Sequence, residues 1–189
     1  MDANTEGGGF RQRDDSSMGP PIMSRGSGFK VPPQNLEAET HVLGSMLMDP
    51  ESIEKVVEHI EARDFYHRPN EVLFSAIMSL HGQGGRADLI TVTDYLEAQN
   101  QLAMIGGASF LNAIFDTVPN SANVEAYAKL IREKAILREL ITVGTTIIEE
   151  SFQGATTVAD LLDKTEREVF QIAQRSLKRD TMAIRDMVK

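Results

Sequence analysis

The sequence contains no cysteine and no tryptophan. Without cysteine there are no disulfides, no thiolate metal centres and no Cys/His nucleophile. Aromatic residues are few, with 8 Phe and 3 Tyr, so any core rests on aliphatic side chains. Also lacking is an apolar run near the ~20 residues of a membrane span, and the N-terminus has no signal-peptide core. Basic runs are scarce too. None is denser than Lys178-Arg179, and the formal net charge is −9, which repels a phosphate backbone. These absences suit a soluble protein of a reducing cytosol that makes little direct contact with nucleic acid.

What is present is helix-forming sequence. Hydrophobic residues make up 41% of the chain, enough for one domain with an appendage. Residues 1–30 carry glycine clusters and a Met18-Gly-Pro-Pro21 stretch but no apolar periodicity, the composition of a disordered tail. From Val31-Pro32-Pro33 the chain enters order, with Asn35 placed to cap a first helix bearing Leu36, Glu39, Leu43, Met46 and Leu47. Asp49-Pro50 ends that helix and opens another, with the acid as N-cap and proline at the first helical position. Ile53, Val56, Val57 and Ile60 recur there at i, i+3, i+4, i+7. Asp64-Phe65-Tyr66 reads as a loop that sinks its aromatics into the core. A third helix spans about Asn70 to His81. A fourth starts near Leu89, with Thr91 and Asp94 resembling a capping box. The fifth carries Phe110, Leu111, Ile114, Phe115 and Val118 and stops at Pro119. No convincing strand is found, so the fold class is all-α.

The longest elements follow. Asn123 to Phe152 has no internal proline, and a second amphipathic run extends from Thr157 to Ser176 after Gln153-Gly154. Together they predict an antiparallel helical hairpin, its first arm roughly 45 Å long at ~1.5 Å per residue. The first arm carries two apolar stripes. Tyr127, Leu130, Ile131, Leu137, Ile141 and Ile148 form one; Ile136, Leu140, Val143 and Ile147 form the other. On the second arm Val158, Leu162, Thr165, Val169 and Ile172 are spaced 4, 3, 4, 3, the seam of a coiled-coil-like contact. One stripe of the first arm is surplus to a two-helix arm, and it faces either the head or another subunit. Thr142-Val-Gly-Thr-Thr-Ile-Ile148 has weak helix propensity, which predicts that tertiary burial holds it helical.

Catalytic signatures are missing. The Gly82–Gly85 and Gly106-Gly107 clusters lack the spaced glycines and Gly-Lys-Ser/Thr ending of a phosphate loop and read as turns and caps. No glutamate stands three residues before His41, His59, His67 or His81, so a di-iron bundle has no ligand pattern, and surface or helix-end histidines are expected. Glu149 and Glu150 diverge around a helix. The expectation is no catalytic residue and no metal.

Val31-Pro-Pro-Gln-Asn-Leu-Glu-Ala-Glu39, Val42-Leu-Gly44, Asp64-Phe-Tyr66, Asp88-Leu-Ile-Thr-Val92, Gly106-Gly107 and Pro119-Asn-Ser-Ala-Asn-Val124 occur in this order. Together they resemble the N-terminal domain of the bacterial replicative DNA helicase of the DnaB type, over residues 30 to 189. The resemblance implies a helical head (31–119), a hairpin (120–177) that pairs between subunits, and a connector (178–189) opening a linker helix. It implies a hexameric collar, commonly a trimer of dimers, on which the C-terminal domain of primase docks and which a helicase loader can contact. ATP and Mg would belong to a motor domain outside these residues, as would most contact with single-stranded DNA. Location would be the bacterial cytoplasm, at replication forks. The expected hairpin contacts are Leu137, Ile141 and Ile147 with Leu162 and Val169. Ile141 and Ile147 are expected to help form the primase or subunit surface, with Phe110, beside the Gly106-Gly107 turn, adding to it. The alternative is a free-standing helical adaptor without a motor.

Overall fold

The computed structural model describes residues 31–118, 122–154 and 157–186, the side chains of the last stretch through residue 176. The tail, the Pro119 stop and the side chains of the connector lie outside the described residues. Within them the chain is all-α: α1 (Leu36–Met48), α2 (Pro50–Val57), α3 (Arg68–Gly82), α4 (Leu89–Ala98), α5 (Gly107–Thr117), α6 (Val124–Gln153) and α7 (Val158–Asp186). Single 3-10 turns at Ala62–Asp64 and Ala103–Ile105 link the head's helices.

Helix α1 lies at the centre of the head because almost every face of it is apolar or small. It packs on α2, α3, α5 and α6, and Val42, Leu43 and Met46 are fully enclosed. Its crossing with α5 requires Gly44. A Cβ there would lie 2.4 Å from Val118 Cγ2 and 2.8 Å from the Ile114 carbonyl oxygen. The second of these is backbone and cannot rotate away.

The start of α1 is fixed by the Asn35 side chain, which accepts from the Ala38 N–H at 2.9 Å. Asp49 accepts from the Glu51 N–H at 3.1 Å and caps α2 ahead of Pro50. For α4 the cap sits earlier than expected. Asp88, not Thr91, is the N-cap: its carboxylate accepts from the Thr91 N–H at 3.0 Å, and the Thr91 hydroxyl accepts from the Asp88 N–H at 3.0 Å. Threonine thus closes the capping box instead of opening it. The hydrogen bond from the Thr91 backbone holds the Asp88 carboxyl below its usual range.

Glu39, read as one position of a mostly apolar face, is buried and works across the fold. It accepts from the Tyr66 N–H (2.7 Å), the His67 N–H (3.3 Å) and the Asn70 amide (2.8 Å). His67 makes no side-chain cap for α3, so a carboxylate from α1 satisfies donors at that helix's start. Phe65 is buried and tilts against Phe74 at 5.1 Å. Tyr66 differs from expectation and stays at the surface, under the Arg138 guanidinium at 5.7 Å. His59, expected as a surface or helix-end histidine, lies just past the end of α2 and is buried.

Helix α6 spans 30 residues, and only its first third is absorbed by the head. Val124, Ala128 and Ile131 are buried in the core of the head, where α6 packs on α1 and α2, and Ala135 is buried one turn further on. Gly154 takes the left-handed conformation (φ 59°) that reverses the chain, and its N–H donates to the Glu150 carbonyl. The Thr157 hydroxyl then accepts from the Asp160 N–H at 3.2 Å as α7 begins. This helix passes the expected hairpin–connector boundary at residue 178 without a break and continues to Asp186.

Replacing Gly44 with Ala should force α1 and α5 apart and lower stability by about 1–3 kcal/mol, the usual cost of overpacking. Urea denaturation followed by circular dichroism measures it; an unchanged midpoint would contradict the close approach.

Candidate partner interface

The hairpin is rooted on the head by charge. Asp64 is buried by the 3-10 turn, where its carboxylate accepts from the Glu61 N–H at 2.8 Å. Arg132 of α6 donates to the other carboxylate oxygen at 2.7 Å and lies 3.5 Å from Glu139 one helical turn pair further on. Glu139 in turn lies 3.6 Å from Arg175 of α7. Arg138 reaches the opposite way and donates to the Pro33 and Asp64 carbonyls at 2.8 and 2.5 Å. Head, first arm and second arm therefore meet in one ionic junction. A cleft of about 380 Å³ opens beside it, lined by Arg63, Arg138, Glu139, Gln171 and Arg175 among others.

Further out, Lys164 of α7 pairs with Glu150 of α6, and that hydrogen bond raises the lysine above its usual pKa. The covered positions on α7 include Leu161, Lys164, Thr165, Glu168, Ile172 and Arg175. The seam of the hairpin is thus rotated from the expected Val158, Leu162, Thr165, Val169, Ile172 line, sharing only Thr165 and Ile172 with it. The physical reason is that Glu139–Arg175 and Glu150–Lys164 occupy the seam. A reading by apolar period has no means of giving a charged residue an inside position.

This rotation turns apolar residues outward. Leu137 is 44% exposed, Ile141 54%, Leu162 64% and Val169 43%, so each presents much of its side chain to solvent. Ile147 is half-buried. Leu140, Ile148 and Phe152 on α6 and Val158 and Phe170 on α7 are also exposed. The structure brings Leu137, Ile141 and Ile148 onto one face of α6, and Leu162 and Val169 onto one face of α7. Phe110 is apart from both, half-buried on α5 with its ring 6.2 Å from that of His67. The segment 142–148 is not held by burial within the chain as expected, since none of its residues is buried. Neither Asp64 nor Arg132 was foreseen as a junction; Arg132 stands near the start of the long helix, but its partner lies 68 residues away in the head.

The glycine clusters serve as turns. Gly84, Gly106 and Gly107 have positive φ and lie at helix ends, and no strand precedes them. Among the described residues no group of three His, Asp or Glu side chains could hold a metal ion. No helix among them is long and apolar enough to cross a membrane. The chemistry here is that of contact between proteins: apolar stripes on a stiff, charge-anchored arm.

Loss of the Arg132 charge should therefore be felt far beyond one side chain. Arg132→Met leaves Asp64 enclosed with its strongest partner gone, and about 3 kcal/mol of stability should be lost. The denaturation midpoint measures this, and a variant as stable as the parent would remove the junction from its structural role.

Comparison with known proteins agrees with this architecture. Residues 31–133 match the family described as the DnaB-like helicase N-terminal domain. A replicative DNA helicase DnaB of Mycobacterium leprae is 36% identical over 162 residues, covering 85% of this chain and 27% of the relative. The chain thus spans about a quarter of that relative's length. The crystal structure of the N-terminal domain of DnaB helicase from Mycobacterium tuberculosis is 37% identical with a TM-score of 0.72, covering 75% of this chain and 99% of that one. The N-terminal domain of DnaB helicase from Helicobacter pylori, whose structure is described together with its interactions with primase, is 29% identical with a TM-score of 0.55. That match covers 61% of this chain and 90% of the other. The chain belongs to the family of DnaB-like helicase N-terminal domains.

Proposed function

We propose that this domain is the collar of a hexameric replicative DNA helicase, in which the hairpin pairs subunits and the collar so formed docks primase. The observation that carries this reading is the set of exposed apolar side chains on both hairpin helices. Leu137, Ile141 and Ile148 on α6, with Leu162 and Val169 on α7, are too many and too aligned for scattered surface residues. A partner helix that covers them gains roughly 1.5–3 kcal/mol for each side chain fully buried. Ile147 borders the α6 stripe, and Phe110 on α5 adds a separate contact point on the head. The similarity to a domain described with its interactions with primase supports primase, through its C-terminal domain, as the second partner.

The domain itself supplies no catalytic step. In this reading the whole protein separates DNA strands by hydrolysing ATP with Mg in a motor domain, which also makes most of the contact with single-stranded DNA. A loader that delivers the ring would meet the same collar. The work takes place in the bacterial cytoplasm at the replication fork.

Ile141→Asp places a charge in the middle of the α6 stripe. It should weaken self-association or primase capture by at least about tenfold, the effect of losing one well-packed anchor. Light scattering and a primase pull-down measure the two arms, and no change in either would refute the assignment.

A further inference from the structure

The 3-10 turn Ala62–Asp64 separates two neighbouring recesses of opposite character. One is apolar, about 520 Å³ in volume, and is walled by Val57, Ile60, Phe74 and Met78, with Glu61 its one charged residue. The other is the ionic cleft of about 380 Å³, where Arg63, Arg138 and Arg175 stand among Glu139 and Glu168. Ala62 lines the first and Arg63 the second, and consecutive Cα atoms lie only ~3.8 Å apart. Both volumes fall within the ~300–1,000 Å³ of recesses that hold ligands. None of these residues belongs to the exposed stripes of the hairpin.

The polar groups of the apolar recess are already engaged. The Ser75 hydroxyl donates to the Glu71 carbonyl, and Glu61 pairs with Arg63 at 2.7 Å. What the recess can take is an apolar side chain, entering past Val57, which is exposed at the end of α2. In the cleft, cations outnumber acids. Arg63 is exposed, and Arg175 is half-buried and lies 3.6 Å from Glu139, beyond a good hydrogen bond. Arg138 donates to the Pro33 and Asp64 carbonyls, neutral partners that leave its charge in place. Glu139 is shared with Arg132, and Glu168 also acts on Lys164. The three arginines thus meet two carboxylates that other cations share, in a chain whose net charge is −9.

We propose that the two recesses together bind an acidic peptide segment of a second protein. Its apolar side chain sits between Val57, Phe74 and Met78, and its carboxylate meets the guanidinium groups of Arg63 and Arg175. Guanidinium favours such a partner because it can donate two parallel hydrogen bonds to one carboxylate. A basic segment finds the same apolar recess but is repelled beside it, so the cleft selects by sign. Because Arg63 belongs to the head and Arg175 to α7, the bound segment also fastens the second arm to the head. This site is separate from the stripes assigned to subunit pairing and primase, and goes beyond that reading.

Titration of the full chain into a fluorescein-labelled peptide, Gly-Ser-Asp-Asp-Leu-Phe-Asp-Gly, tests this by anisotropy. Two control peptides carry Lys for each Asp, or Ser for Leu and Phe. The acidic apolar peptide should bind at least about tenfold more tightly than either control. Val57→Asp and Arg63→Glu should each weaken it by about tenfold or more, the effect of losing one anchor. Ile141→Asp should leave it unchanged. Arg63 is at the surface, so Arg63→Glu keeps the test decisive if Val57→Asp perturbs the head, which circular dichroism reveals. No binding, equal binding of the lysine peptide, or binding that survives Arg63→Glu overturns the proposal. Loss of binding in Ile141→Asp places the peptide on the hairpin and overturns it too. None of these outcomes alters the case for subunit pairing, which light scattering reads separately.

Discussion

The ion pair between Asp64 and Arg132 is the constraint on which the arrangement depends. Asp64 is enclosed by a 3-10 turn of the head, and Arg132 comes from the first third of the long helix. A carboxylate removed from water is costly unless a cation and further donors attend it, and here both do. The pair therefore sets where α6 leaves the head and how it is rotated about its own axis. Through Glu139 the same arginine reaches Arg175, so the rotation of α7 follows from the same contact. Which apolar residues face outward is decided at the foot of the hairpin.

Glu39 plays the matching part within the head. Its carboxylate ties α1 to the segment Tyr66–Asn70 and so holds the start of α3 and the 3-10 turn ahead of it in place. Asp64 lies in that turn, and Arg138 bonds its carbonyl while its guanidinium lies over Tyr66. Two buried acids, one on α1 and one beside α3, thus frame the platform on which α6 is seated. Gly44 permits the remaining contact of α1 with α5. Apolar burial supplies the bulk of the stabilisation in this head, and the polar contacts select its orientation.

Much of the fold was legible in the sequence because helix boundaries are marked by local chemistry. Asn35, Asp49-Pro50 and Gly154 act within one or two turns of where they stand, and each marks the boundary that the structure shows. Apolar period placed Leu43, Met46, Ile53, Val56, Leu73 and Ile77 in the core for the same reason. What failed was reading long-range polar contacts. Glu39 looked like an ordinary polar position on an apolar helix, because its partners lie 27 to 31 residues away. The hairpin seam was misplaced by a fraction of a turn because Glu139, Glu150, Lys164 and Arg175 sit inside it. Thr91 was given the cap that belongs to Asp88, since serine, threonine and aspartate share the same capping chemistry and a shift of three residues leaves the pattern plausible.

The rotated seam gives the hairpin an unusual balance. Its two arms meet through exposed or half-exposed ion pairs, contacts that contribute little in water, typically below about 1 kcal/mol each. Many of its larger aliphatic and aromatic side chains, among them Leu137, Ile141, Ile148 and Phe152 on α6 and Val158, Leu162 and Phe170 on α7, are exposed. Such a hairpin has more to gain from contact with another molecule than from closing on itself. The weak helical stretch around Gly144 sharpens the point, since its own chain covers it only in part. Stability of the outer arm and association are then coupled: a partner that covers α6 also favours the helical state of residues 142–148. The head, with its buried acids and enclosed aliphatic core, draws its stability from within, and the outer arm is the part of the structure with the most apolar surface left to cover.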